Sequence, residues 1–392
     1  MKKRPIIYLV GAYPQWSETF VRQDLSLLLE LDLPLYPVAL FPGDTEREEG
    51  WPEVTYLDSV PCPTAPGGAH MGAAISRLLP RFLATRLSLH HHGHRVQALA
   101  DLARWVNARH IHAEFADLPA LVGSAAARKL GLGYSLGVHA RDVHLAKFTP
   151  SLVYGRARFV VACNRDAWRG VNNYRPAARA GVHLIHHGLD LAIWSFREST
   201  IPAPSAPLRL LFVGRFVEKK GLNVLFRALA HLQKNGQRVQ LSLLGDGPLE
   251  APLRSMSTML GLDEVVSWEG VVPRAEVGRQ MREHHVLVMP SVVSHEGDRD
   301  GIPNVVLEAM ACGLPVVGSD AGSLPEVLDE QTGWVSPAGD DVALAATIER
   351  LLAAPAEVAA RCRAARHLVV RDFDARALAR RRAALFQAIL AE

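Results

Sequence analysis

The chain has 392 residues, 49% of them hydrophobic and 21% charged, which is ample apolar material for folded cores, too little charge for a disordered polymer and too much length for one small binding module. Forty-three Lys and Arg against 40 Asp and Glu leave a formal +3, too balanced for a protein that coats nucleic acid. The balance is uneven, with 22 basic against 17 acidic residues up to Ser205 and 21 against 23 beyond it, so the first half carries the more basic surface. Cys62, Cys163, Cys312 and Cys362 lie far apart with no C-x-x-C spacing, which indicates neither a disulfide framework nor a zinc site and fits a reducing compartment.

In chain order, Lys2 to Arg4 imitate the charged start of a signal peptide, but the apolar run behind them stops at Val10, so Ile6 to Val10 is predicted as a first strand. No apolar stretch approaches the roughly 18 residues of a spanning helix, so any membrane contact is expected to be peripheral. Further short apolar runs follow at Leu35–Leu40, His110–Ala113, Ser135–Val138, Phe159–Val161 and Val182–Ile185. A second series runs through Leu208–Val213, Gln240–Leu244, Val265–Trp268, Val286–Met289, Pro315–Val317 and Trp334–Val335. Strands alternating with helical stretches predict an α/β protein with parallel sheets and helices on both faces.

Between the series, residues 201–207 contain three prolines, which keep the chain extended and mark a linker. The expected organisation is a first Rossmann-like domain over 1–200, a second over 208–372, and a last helix within 373–392 packing back on the first domain. Two βαβ domains so joined are expected to face each other across a cleft, with ligands at the carboxyl ends of the strands.

Three stretches carry the chemistry. Gly214 opens a turn after the strand ending at Val213, and Arg215 and Lys220 follow it, a guanidinium fork and an ammonium placed to hold a diphosphate or simply to be solvated. Gly245 and Gly247 form a second strand-end turn, which allows close backbone approach to a ligand or serves steric needs alone. After Met289–Pro290 comes a polar loop through Glu296 and Asp300, then Gly301, Ile302, Pro303 and Asn304, where a helix is predicted to begin and present its amide N–H groups to an anion. Glu308 lies one to two turns inside that helix, and Gly313 to Pro315 stops it.

Together these motifs resemble the retaining nucleotide-sugar glycosyltransferases of family four, which have the GT-B fold, and the likeness runs over essentially the whole chain. Asp300 through Glu308 and on to Val317 is similar to the family's acid, seven residues, glutamate and E-A-M-A-x-G-x-P-V-V hallmark, and Pro325–Glu326 and Thr332–Val335 match its usual tail. Tyr13 to Val21 looks like the P-x-x-S-E-T-F-I opening of a branch that builds bacterial exopolysaccharides and similar surface glycans. Ile111–Phe115, Gly137–Asp142 and Ile185–Asp190 fall where that branch has H-A-x-F, T-A-H-A-x-D and N/H-G-x-D.

The resemblance implies that Arg215 and Lys220 hold the donor diphosphate, that Glu308 holds the nucleotide ribose and that His139 lies at the reacting sugar. His139 has a structural alternative, satisfaction by Asp142. The family's first acid is usually glutamate, whereas this chain has Asp300; Glu296 also stands in the loop, and Asp300 is favoured as the sugar contact because it keeps the spacing to the helix start.

The implied activity is that of a cytoplasmic retaining hexosyltransferase-type enzyme. It takes a UDP- or GDP-type sugar donor to a glycan or lipid-linked acceptor, with no further cofactor, no metal and no nucleic-acid partner. The rivals are an inactive sugar-nucleotide-binding protein and a GT-B-fold epimerase. Ser17, Glu18 and Thr19 are expected on the acceptor side, Glu18 being a base or merely a helix N-terminal charge. The run His90 to His94 cannot converge on one ion. Arg77, Arg81 and Arg86, interleaved with apolar residues, form either a solvated helix face or a peripheral contact with the inner face of the membrane.

Overall fold

The computed structural model describes residues 4–15, 18–57, 80–145, 148–174, 181–199 and 206–392. The chain forms two compact units, Met1–Gly188 together with Ala375–Glu392, and Leu189–Asp374. Each is built on a parallel sheet, as the alternating pattern requires.

Among its described residues the first unit has seven strands: β1 (Ile6–Tyr13), β2 (Leu35–Pro42), β3 (Thr55–Tyr56), β4 (His110–Glu114), β5 (Gly133–Val138), β6 (Phe159–Ala162) and β7 (Gly181–Leu184). They lie in the order β3-β2-β1-β4-β5-β6-β7, every neighbouring pair parallel. Alternate residues of β1 feed opposite faces. Ile7 and Leu9 pack with Leu99 and Val122 of the helices Gly93–Trp105 and Leu118–Leu130. Ile6, Tyr8 and Val10 pack with Leu25, Leu28 and Phe386 of the helices Thr19–Glu30 and Ala375–Ala391. Burial on both faces is why the strand reads as an unbroken apolar run.

Among its described residues the second unit has six strands, β8 (Leu208–Val213), β9 (Val239–Leu244), β10 (Val266–Gly270), β11 (Val286–Met289), β12 (Val316–Ser319) and β13 (Trp334–Ser336), in the order β10-β9-β8-β11-β12-β13. They are parallel throughout. In both units the strand order steps outward from the first strand to one side and then returns to the other, the doubly wound topology that places ligands at the carboxyl edge beside that strand.

All the strands expected from the sequence are present, and β3, two residues long, is additional. The first crossing between units falls at Gly188–Leu189, ahead of the proline-rich stretch, of which residues 201–205 lie outside the described set. The chain returns at Asp374–Ala375, and the last helix packs on the first unit, where Phe386 is fully buried with its ring 5.0 Å from His112 and 5.8 Å from Phe159. Among the described residues no helix is long and apolar enough to cross a membrane.

Truncating a buried phenylalanine removes its transfer energy and leaves a cavity, so Phe386→Ala is expected to destabilise the first unit by about 3–5 kcal/mol, read as a lowered urea midpoint. Wild-type resistance to urea would mean that the last helix contributes nothing to the core.

Candidate functional site

Two clusters of polar groups stand at carboxyl edges of strands, one in each unit. In the first unit the cluster is built on β4, β5 and the turn after β7. Glu114 ends β4 and is buried; Tyr8 donates to its Oε2 at 2.6 Å, and His112 Nε2 lies 3.3 Å from the same oxygen. Burial would raise the Glu114 carboxyl, but His112, Arg382 and His139 outweigh it and hold the group well below the usual carboxylate range. The carboxylate lies over Gly137, where a Cβ would stand 2.5 Å from Oε1, so the neighbouring strand needs glycine there.

His139 follows β5 and opens the helix Ala140–His144. Its backbone N–H donates to Asp142 Oδ2 at 2.9 Å, and its ring Nδ1 lies 3.4 Å from that oxygen, so the contact with Asp142 that the sequence left as an alternative is present. The ring Nε2 faces His187 Nε2 at 2.9 Å and Glu114 Oε1 at 3.4 Å. Burial would lower the imidazole, yet Asp142, Glu114 and Glu18 hold it above the ordinary value. His187 is lowered by burial despite Asp24, and its Nδ1 donates to Asp24 Oδ2 at 2.8 Å. The consistent proton arrangement is His139 donating to His187, and His187 donating to Asp24.

Asp24 is closed off by Arg382 of the last helix, a buried ion pair in which Arg382 Nη1 donates to Asp24 Oδ2. Burial raises Asp24, but Arg382 and then His187 bring it below the usual carboxylate range. Glu18, just ahead of the helix Thr19–Glu30, is pushed up to about 7, chiefly by burial and further by Asp117, Asp142 and Glu114 against the opposing pull of His139. That value suits a carboxyl that exchanges a proton near neutrality. Thr19 begins that helix, and Ser17 lies outside the described residues.

The second cluster stands above β8, β9 and β11. Gly245 has φ +129°, and a Cβ there would meet the Gly214 carbonyl at 2.2 Å, so the two strand-end turns touch only because glycine occupies that position. Phe216 N–H donates to the Asp246 carbonyl at 2.6 Å, and Gly247 belongs to the same clasp. Arg215 is exposed beyond the end of β8. Lys220 lies in the short turn Glu218–Lys220, and its Nζ is 2.8 Å from Asp300 Oδ2, to which Ser291 also donates at 2.9 Å.

The polar loop after β11 is pinned to that turn at three further points: Lys219 to Asp298 at 3.1 Å, His295 Nδ1 to Glu218 at 2.6 Å, and Val292 N–H to the Lys219 carbonyl at 2.8 Å. Asp300 is thus buried beside the lysines, whereas Glu296 stands on the exposed part of the loop, 4.0 Å from His295. After Gly301 and Ile302, Pro303 caps the helix Asn304–Cys312, which Gly313 ends in the left-handed conformation. Glu308 is mostly buried on that helix, raised by burial against the pull of Arg274, whose Nη2 is 3.4 Å away. Arg274 in turn lies over the Trp194 ring at 5.2 Å.

Of the residues expected from the sequence, Arg215, Lys220, Asp300, Gly214, Gly245, Gly247 and the helix start gather at the second cluster. His139 and Glu18 belong to the first. The sequence reading did not single out Asp24, His187, Arg274, Lys219 or Arg382. Arg382 had a signal: it stands four residues after Leu378 and four before Phe386, on the apolar stripe of its helix.

Two parallel doubly wound sheets, each with charged groups at its carboxyl edge, define a GT-B-type α/β protein. Residues 207–354 match the family model described as glycosyl transferases group 1. The chain is 29% identical over 96% of its length to the putative colanic acid biosynthesis glycosyltransferase WcaL of Escherichia coli K12, covering 98% of that protein. It is 38% identical over 43% of its length to the amylovoran biosynthesis glycosyltransferase AmsK of Erwinia amylovora, covering 42% of that protein. Its fold is similar to that of a sucrose-phosphate synthase from Thermosynechococcus elongatus, with a TM-score of 0.76 at 21% identity and 99% of each chain covered. The family match is confined to residues 207–354, within the second unit, while the likeness to WcaL runs over almost the whole chain.

Removing one partner of a buried ion pair strands the other charge, so Arg382→Met is expected to cost about 3–5 kcal/mol. Adding Asp24→Asn is expected to recover part of that loss in urea denaturation. Equal loss in the single and double variants would contradict the coupling of the two residues.

Proposed function

We propose that the protein transfers a sugar from a UDP- or GDP-type donor to a hydroxyl of a glycan or lipid-linked glycan, with retention at the anomeric carbon, in the assembly of a bacterial exopolysaccharide or related surface glycan. The observation that carries this reading is the second cluster: Arg215 and Lys220 at the end of β8, beside a helix start, with the buried carboxylate of Glu308 on that helix. The colanic acid and amylovoran assignments of WcaL and AmsK supply the class of glycan.

In this reading Arg215, Lys220 and the backbone N–H groups of Ile302 and Asn304, on either side of Pro303, receive the charge that develops on the departing diphosphate, so neither a divalent metal nor a further cofactor is required. Glu308 accepts from the ribose hydroxyls, and Gly214, Gly245 and Gly247 let the backbone approach the nucleotide. Lys220 leaves its contact with Asp300 for the phosphate, which turns the Asp300 carboxylate toward the sugar hydroxyls. His139 stands at the reacting carbon, held by Asp142 and His187, while Glu18 and Thr19 serve the acceptor.

Removing one charge-stabilising donor from a transfer site reduces turnover by roughly a hundredfold or more, which is the expected effect of Arg215→Ala and of Lys220→Ala in a radiolabelled-sugar transfer assay. Unchanged kinetics at limiting donor in a folded variant would remove the diphosphate assignment, whereas no transfer by the wild type would leave the inactive-binder and epimerase readings standing.

A lipid-linked acceptor requires approach to a membrane, and the helix Arg81–His91 offers a surface for it: Phe82 and Leu87 are 54% and 59% exposed, with Arg81 and Arg86 exposed between and beside them. Arg77 of the same basic stretch lies outside the described residues. Each cation at an anionic surface contributes roughly 1 kcal/mol, screened by salt. Co-sedimentation with phosphatidylglycerol vesicles is therefore expected at low salt and is expected to weaken at high salt. No binding at low salt would exclude this surface as the membrane contact.

A further inference from the structure

The first unit places a thiol beside the two histidines of its cluster. His139 follows β5, Cys163 follows β6, and His187 lies in the turn after β7, so three adjacent parallel strands deliver one nitrogen or sulfur ligand each to the same carboxyl edge. A ligand atom from each of the three lies within 4.8 Å of those of the other two. The His139 and His187 rings are parallel to within 4°, centroids 5.1 Å apart, with their Nε2 atoms turned toward each other at 2.9 Å.

The outer groups would suit a transition-metal centre. His187 Nδ1 donates to Asp24 at 2.8 Å, which fixes the tautomer whose Nε2 carries a lone pair. Asp142 Oδ2 stands 3.4 Å from His139 Nδ1 and supports that ring from its outer side. Asn164 Nδ2 donates to Cys163 Sγ at 3.5 Å, a contact that favours thiolate. Phe20 lies 4.2 Å from the His187 ring and Phe115 4.3 Å from the His139 ring, so the inner side is apolar.

We propose that His139, Cys163 and His187 form a site for a divalent cation of the zinc class, and that its occupancy withdraws His139 from the transfer reaction. Two imidazoles and one thiolate suit such an ion, at about 2.0–2.1 Å to nitrogen and about 2.3 Å to sulfur, with a fourth position left for water. Tetrahedral binding needs the two Nε2 atoms to open from 2.9 Å to about 3.3 Å, a small ring rotation. The metal takes the place of the proton between the two rings; that proton and the one from the Cys163 thiol pass to solvent on binding, leaving His139 neutral with its remaining proton on Nδ1. The effect on transfer rests on the function proposed above; the binding itself does not.

The test uses the full chain stripped of metal with a chelator and titrated anaerobically with Co2+. A thiolate-to-cobalt charge-transfer band with tetrahedral d–d absorption is expected at one equivalent, and Zn2+ should displace it. Cys163→Ser and Cys163→Ala should lose the charge-transfer band, bind at least tenfold more weakly and keep metal-free transfer. In the transfer assay Zn2+ should inhibit the wild type reversibly with EDTA and spare the Cys163 variants. Absence of the band, or its persistence in both Cys163 variants, overturns the site whatever the activity. The band without inhibition supports the site and counts against the place given to His139 in catalysis.

Discussion

One buried guanidinium, Arg382, sets the geometry of the first unit's polar edge. It arrives on the last helix of the chain, meets Asp24 on the helix after β1, and through Asp24 fixes the ring of His187, which faces His139. A carboxylate removed from water in this way is tolerated only with its counter-charge in contact, so the orientation of the histidine pair depends on the last helix being docked on the first unit. The chain's return at Asp374–Ala375 is therefore part of the site, although it lies far from His139 in sequence.

The second unit solves a different problem. Its cations stand at a strand edge, where the lysine turn is tied down from beside it: Asp298 and Asp300 pair with Lys219 and Lys220, while Glu218 holds His295. The acidic loop keeps the lysines in place by the same kind of contact that an incoming phosphate would make. Aspartate at position 300 fits this packing, because the carboxylate lies next to Lys220 and accepts from Ser291.

Most of the fold was legible because parallel strands covered on both faces read as short apolar runs, and every expected run became a strand. Thr55–Tyr56 escaped because two residues have no periodicity. The crossing at Gly188–Leu189 escaped because no change in composition marks it; it depends on the backbone of Gly188 passing against Ala375, nearly two hundred residues later, where a Cβ would sit 2.3 Å from the Ala375 Cα. In the second unit the residues expected at the site form one cluster because they follow β9, β8 and β11, which are neighbours in the sheet. In the first unit His139 was legible and its support was not: Arg382 sits in a run of three arginines that reads as a solvated face, and only the spacing to Leu378 and Phe386 places it inward.

The central claim, sugar transfer with the diphosphate stabilised by fixed protein charge and the anomeric configuration kept, meets its most direct test in a proton NMR spectrum of the newly formed linkage, made with excess EDTA present. The account predicts an anomeric coupling that matches the configuration of the donor, and turnover undiminished by the chelator. An inverted anomer, or activity lost to EDTA and restored by magnesium, would contradict it.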